Sequence, residues 1–162
     1  KSACVYGNVI FCEVLASALG LQLVSPEHDL VTRLPRGLLG RALTISNLGR
    51  IGSLSYPCFV KSLVPKLFTA GVVSSPHRLA EITLGLDEST EILVSEPVRF
   101  KAEARAFLFD RRVMDCALYE GRASLDGALE AAKQVARIDG MPHGFVVDLG
   151  LLGDRWVVVE LN

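Results

Sequence analysis

The sequence predicts an α+β chain. Six strand-like runs crowd residues 42–119, only two helix-like runs interrupt residues 42–162, and the chain closes on two valine-rich runs separated by a glycine-bounded turn. A smaller α/β piece precedes this strand-rich part.

The elements follow in order from local chemistry. Residues 8–19 read as a helix in which Phe11, Val14, Leu15, Ala18 and Leu19 keep the i, i+3, i+4 spacing, and Gly20 suits the left-handed position that closes it. Residues 21–24 read as a short strand. Ser25 and Pro26 suit the N-cap and first turn of a second helix, which Pro35, Gly37 and Gly40 would end. From Arg41 the texture changes: residues 42–45, 58–61, 67–73, 91–98, 103–109 and 113–119 carry β-branched, aromatic or alternating side chains. Helices are expected at 76–84 and 124–138, the second with an apolar stripe of Leu125, Ala128, Leu129, Ala132, Val135 and Ala136. Residues 144–149 and 155–161 read as a hairpin joined across 150–154. No internal repeat or low-complexity tract interrupts the pattern.

Composition narrows the functional classes. With 162 residues and 50% apolar content the chain can bury a real core; 22% charged residues and a net charge of −1 give no field for nucleic acid or an anionic membrane. Cys4, Cys12, Cys58 and Cys116 are far apart and form no CxxC pair, which implies neither a zinc knuckle nor a disulfide framework and fits a reducing cytoplasm. No run approaches the ~20 apolar residues of a membrane helix. Lys1, the run Val9-Ile10-Phe11 and then Ala16-Ser17-Ala18 loosely imitate a signal peptide, but Glu13 interrupts the apolar part and an amphipathic helix fits better. The chain starts without Met and stops at Asn162 inside a strand-like run, as a piece of a longer protein would.

Three clusters carry chemistry. Along 155–161 side chains alternate faces, so Glu160 shares a face with Asn162 while Val159 and Leu161 point away. Asp148 on the preceding strand reaches the same face if the register permits. Two carboxylates and an amide oxygen are hard donors suited to Mg²⁺; the plain alternative is the solvated face of an edge hairpin. Lys61 ends one strand and Lys66 starts the next, so two ammonium groups share a space that a phosphate would satisfy, unless both are simply solvated. In Ser95-Glu96-Pro97-Val98, Pro97 terminates pairing and frees backbone groups of the kind an adenine edge needs. Glu103 and Arg105 alternate with alanines on one face, where a carboxylate could accept from ribose hydroxyls and a guanidinium could clamp phosphate; the alternative is a surface Glu–Arg pair.

In order, F-V-K near 60, S-E-P-V near 96, E-A-R-A-F-L-F at 103–109, V-V-D at 146–148 and V-V-V-E-L-N at 157–162 resemble the ATP-grasp superfamily. More narrowly they resemble its predicted amide ligases marked by one Arg and two Lys, matched here by Arg105, Lys61 and Lys66. The resemblance is carried by order and spacing over residues 56–162. It implies a fold of two α+β subdomains sandwiching ATP over residues 51–162, preceded at 1–50 by part of a small α/β domain. It implies ATP and Mg²⁺ as ligands, with Lys61 and Lys66 on the phosphates, Ser95, Glu96, Pro97 and Val98 as the hinge against adenine, and Glu103 on the ribose. Asp148, Glu160 and Asn162 would hold Mg²⁺, and Arg105 and Lys66 would assist catalysis. The implied activity joins an unidentified carboxylate and amine, a peptide or protein among the candidates, through an acyl phosphate.

Two features depart from that pattern. Leu63 to Gly71 replaces the usual glycine-rich phosphate loop, and Val146 stands where better-known members have an Arg two residues before the metal-binding Asp. The second departure keeps a non-catalytic ATP-binding module as an alternative, beside an interaction domain without nucleotide. Other classes fail on chemistry. Arg137-Ile138-Asp139-Gly140 imitates a lysine-adenylate motif but offers a poor nucleophile; Gly37-Leu38-Leu39-Gly40 has the wrong spacing for dinucleotide binding; His28, His77 and His143 are scattered.

Overall fold

The computed structural model describes residues 9–21 and 25–162. Helix α1 (Val9–Ala18) is followed by Gly20 at φ 67°, as its helix-closing place requires. The strand expected at 21–24 falls on 22–24, outside the described residues. The helix expected from Ser25 and Pro26 does not form. Instead a 3₁₀ turn spans Leu30–Arg33 and a single turn, α2, spans Arg36–Leu39. Arg33 bonds Glu27 at 2.6 Å and Asp29 at 2.8 Å, and the Thr32 hydroxyl donates to the Asp29 carbonyl at 2.7 Å. Such local bonds compete with a continuing helix, and Pro35 then forces a break. Gly40 caps α2 at φ 63°, where a Cβ would stand 2.6 Å from Val157 Cγ1.

The first lobe contains β1 (Leu43–Asn47), β2 (Cys58–Ser62), β3 (Gly71–Val73), α3 (Pro76–Ile82) and β4 (Glu91–Ser95), with a 3₁₀ stretch, Leu48–Ser53, after β1 that the sequence pattern did not reveal. Its sheet is antiparallel in the order β1-β4-β2-β3. Ser75 caps α3 by accepting from Arg78 N–H at 3.2 Å, with Pro76 opening the helix. Two strands are shorter than expected. The run 67–73 keeps only Gly71–Val73, because Pro65 and Lys66 turn the chain and Lys66 takes a left-handed φ of 66°. The run 91–98 stops at Ser95, since Pro97 has no N–H to continue a ladder.

The second lobe contains β5 (Ala102–Phe109), β6 (Arg112–Gly121), α4 (Asp126–Ala136), β7 (Gly144–Leu152) and β8 (Arg155–Leu161), its antiparallel sheet ordered β6-β5-β7-β8. The hairpin turn is tighter than 150–154: β7 runs to Leu152, and Gly153 at φ 63° with Asp154 makes a two-residue turn.

Each sheet has its own core. Ile92, Val94, Val60 and Val73 pack under Leu79 of α3; Ala104, Ala106, Leu108, Val147, Leu149 and Val158 pack under the small side chains Ala128, Ala131, Ala132 and Val135 of α4. A one-residue slip of β7 would turn Val147 and Leu149 outward at ~1.5–3 kcal/mol each. Register is therefore pinned, and the opposite faces of the two sheets are left looking at each other. Among the described residues no helix is long and apolar enough to cross a membrane.

Candidate functional site

Strand alternation builds the site from both sides. In β2, Cys58, Val60 and Ser62 turn inward, so Phe59 and Lys61 look out of the first lobe; in β4, Leu93 and Ser95 do the same. In the second lobe β8 offers Val159, Glu160 and Leu161, with Asn162 beyond its end. Between them lies a cleft of about 1120 Å³, lined also by Arg41, Lys66, Val98, Phe100 and Glu103. Its volume exceeds the ~300–1,000 Å³ of ordinary small-molecule pockets, leaving room for more than one ligand.

Register settles which polar groups meet. Asp148 lies directly opposite Glu160 on β8 and opposite Arg105 on β5, so the three form a row across the open face of the second sheet. Arg105 grips Asp148 with a two-pronged bond, Nε to Oδ1 at 2.7 Å and Nη2 to Oδ2 at 2.8 Å, and this bond above all raises the guanidinium pKa. Asn162 Nδ2 donates to Asp148 Oδ2 at 3.1 Å, held there by mutual backbone bonds with Val146 at 2.7 and 2.8 Å. Glu160 is bonded across the cleft by Lys61 of the first lobe. Two cation–carboxylate pairs thus stand side by side, Lys61 with Glu160 and Arg105 with Asp148. Asp148 is 7% exposed at its side chain and Arg105 47%.

Lys66 lines the cleft and makes no ion pair among the described residues; it sits in the turn, not at the start of a strand. Ser95 and Val98 line the cleft, while Glu96 and Pro97 do not. The Glu96 carboxylate accepts from Ala42 N–H at 3.3 Å, tying the start of the first lobe to the segment between the lobes. Glu103 accepts from the Tyr119 hydroxyl at 2.6 Å. Among the described residues no group of three or more His, Cys, Asp or Glu gathers as for a metal, so the donor set is two carboxylates and one amide oxygen.

Two features were missed in the sequence. Arg41 is buried, 6% exposed, and donates to the carbonyls of Leu39 at 3.1 Å, Val158 at 2.9 Å and Val159 at 3.1 Å. Burial lowers its pKa, opposed by nearby Glu96, but a guanidinium stays charged. It also lies 5.9 Å from the centroid of Phe100, whose ring covers Gly150; a Cβ on Gly150 would meet Phe100 Cδ1 at 2.4 Å. The second feature explains the first. Asp148 pairs with Glu160 but Leu149 with Val158, so Val159 is an extra residue in β8, a bulge that disrupts the ladder beside Glu160. Arg41 satisfies the carbonyls there. An Arg at a strand entrance gives no such hint in sequence, since its partners are 117 and 118 residues away.

The family model for the ATP-grasp domain of the clade named for one Arg and two Lys, family 2, matches residues 38–162. The chain belongs to this family. Solved structures agree on the ATP-grasp fold: a RimK domain protein ATP-grasp from Sphaerobacter thermophilus DSM 20745 at 19% identity and TM-score 0.56, covering 83% of this chain and 54% of that one; and D-alanine–D-alanine ligase from Bacillus anthracis at 12% and 0.60, covering 83% and 54%. The ATP-grasp ligase PsnB, solved with precursor peptide PsnA2 and AMPPNP, matches at 15% and 0.55, covering 83% and 47%. At these identities the likeness shows the fold alone, and the chain spans about half the length of each. No curated protein matches it. In this ATP-grasp domain the two lobes are the two α+β layers, and the cleft is the space between them.

Proposed function

We propose that this ATP-grasp domain binds ATP with Mg²⁺ and serves an ATP-dependent carboxylate–amine ligase that activates its carboxylate as an acyl phosphate. In this reading residues 51–162 form the domain proper and residues 1–50 contribute the end of a small preceding α/β domain, with β1 pairing into the first lobe.

The observation that carries the proposal is the pair of adjacent ion pairs, Lys61–Glu160 and Arg105–Asp148. Without ligand each charge is neutralised by its neighbour. Polyphosphate offers the two cations stronger partners, which would strand two carboxylates; a divalent cation offers those carboxylates partners in turn. The exchange balances only when phosphate and metal enter together. The residues fit the metal, because Asp148, Glu160 and the Asn162 amide supply hard oxygens, and Mg²⁺ is commonly held by one or two carboxylates plus substrate phosphates. When bound it would offset charge on the phosphoryl oxygens.

The chain's own residues then have distinct tasks. Lys61 and Lys66 would approach the phosphates from the first lobe, Lys66 from a turn that replaces a glycine-rich loop. Ser95 to Val98, where the strand ends and backbone groups are released, would meet the adenine edge, with Val98 and Phe100 as apolar wall; Glu103 would accept from ribose. Arg105, freed from Asp148, would stabilise charge spreading over the transferred phosphoryl group, the task that Val146 cannot perform. Closure of the cleft would keep water from the acyl phosphate, onto which the amine attacks with release of phosphate. PsnB was solved with AMPPNP and a precursor peptide, and also with Mg and ADP; by that analogy a peptide is one candidate acceptor here. No membrane or nucleic-acid partner enters this reading.

The test is ADP release from ATP and Mg²⁺ by the full-length protein, with amino acids and short peptides supplied as combined carboxylate and amine donors. Release that rises with a donor and falls about 10²–10³-fold in Asp148→Asn supports the ligase. Tight ATP binding with no donor-dependent release supports the second reading, a regulatory module, which the Val146 departure favours.

A further inference from the structure

The exposed strand β6 places one side chain between the proposed sugar and phosphate ends of the site. Along β5, Glu103 and Arg105 share the open face. On β6, Glu120 pairs with Glu103 and Leu118 with Ala104, so Tyr119 is the extra residue of a bulge. Bulges re-aim side chains and are frequent beside active sites. Here the re-aimed ring touches both neighbours. Its hydroxyl donates to Glu103 Oε2 at 2.6 Å, and the Arg105 guanidinium lies 5.7 Å from its centroid.

Resting on the nucleotide reading of the cleft, we propose that Tyr119 is a positioning residue that fixes Glu103 for a ribose hydroxyl and Arg105 for phosphate at the same time. The chemistry supports the division. A phenol held to one carboxylate oxygen leaves Oε1 free to accept, and no other hydrogen bond engages that carboxylate among the described residues. Burial first, and the bond to Glu103 second, hold the phenol pKa well above its usual value, so it remains a donor wherever an enzyme works. The ring beside Arg105 supports the guanidinium independently of Asp148, which would keep its planar fork in place when Asp148 exchanges partners.

The two contacts are separable. Tyr119→Phe removes the hydroxyl and keeps the ring; Tyr119→Leu removes both. The experiment is calorimetric titration of the full-length protein, in Mg²⁺, with a non-hydrolysable ATP analogue and with its 2′,3′-dideoxy counterpart. Wild type is expected to prefer the ribose form about tenfold or more, from a hydrogen bond to a charged acceptor. Tyr119→Phe is expected to bind the ribose form about tenfold more weakly and the dideoxy form unchanged, so the preference disappears at an unaltered thermal midpoint. Tyr119→Leu is expected to weaken both forms. If Tyr119→Phe keeps the wild-type preference, or weakens both forms equally, or if wild type shows no preference, the positioning role is overturned while ATP binding stands. Failure of wild type to bind either form overturns the nucleotide reading itself, and this inference with it.

Discussion

Lys66 and Lys61 divide binding from stability in different ways. Lys66 holds a left-handed φ of 66°, a conformation that is unfavourable by ~1–2 kcal/mol for a residue with a Cβ, and its ammonium makes no ion pair among the described residues. Lys66→Gly should therefore leave the thermal midpoint unchanged or raise it while weakening a nucleotide analogue several-fold. A fall in stability with binding intact would contradict its assignment. Lys61 pairs with a Glu160 side chain that is 36% exposed, so Lys61→Met should change urea stability by no more than ~1 kcal/mol while weakening the analogue about tenfold or more. Arg41 is the opposite case: Arg41→Leu leaves buried carbonyls of Val158 and Val159 unbonded, at ~1–3 kcal/mol for each, and urea denaturation should show it. Little change there would mean that water or a neighbour replaces the guanidinium. Lys61, Asp148, Glu160 and Asn162 were legible because each interrupts an apolar run. Arg41 and Tyr119 were not, since their meaning lies in bulges and in partners distant along the chain.

At the scale of elements, a glycine decides how the cleft wall is built. Gly150 on β7 lies opposite Glu103, and the Phe100 ring occupies the space its missing side chain leaves. Gly150→Ala should push the ring off the sheet, lower stability by ~1–3 kcal/mol through overpacking, and weaken analogue binding at the same end. Unchanged binding with Phe100 displaced would remove that ring from the proposed adenine wall. The elements that were legible are those with strong periodicity: α4 with its alanine stripe, the final hairpin, and the alternating β5. The misread ones lack it. Residues 25–34 carry a plausible cap and proline, but local bonds from Arg33 and Thr32 end the helix before it begins, and 67–70 look strand-like only because Leu67 and Phe68 adjoin a real strand. Register, which brings Asp148 opposite Glu160 and Arg105, depends on bulges whose positions alternation alone does not specify.

For the whole molecule, the two lobes meet through opposite charges. Lys61 comes from the first lobe and Glu160 from the second, while Arg105 and Asp148 continue the same row. Because the ligand-free site is neutral by internal pairing, metal without nucleotide and nucleotide without metal should each bind weakly. The two-lobed architecture was foreseeable from the order of short motifs, since each lobe keeps its own core and its own chain segment. The neutral pairing was not, because it spans 99 residues in one pair and 43 in the other. The most direct measurement is thermal unfolding with Mg²⁺ alone, a non-hydrolysable ATP analogue alone, and both, for wild type, Asp148→Asn and Glu160→Gln. The account predicts a large rise in wild type only with both, equivalent to ~2.7 kcal/mol at about a hundred times Kd, and its loss in each variant. No rise in wild type, or a rise from the analogue that neither needs Mg²⁺ nor changes in the variants, would contradict it.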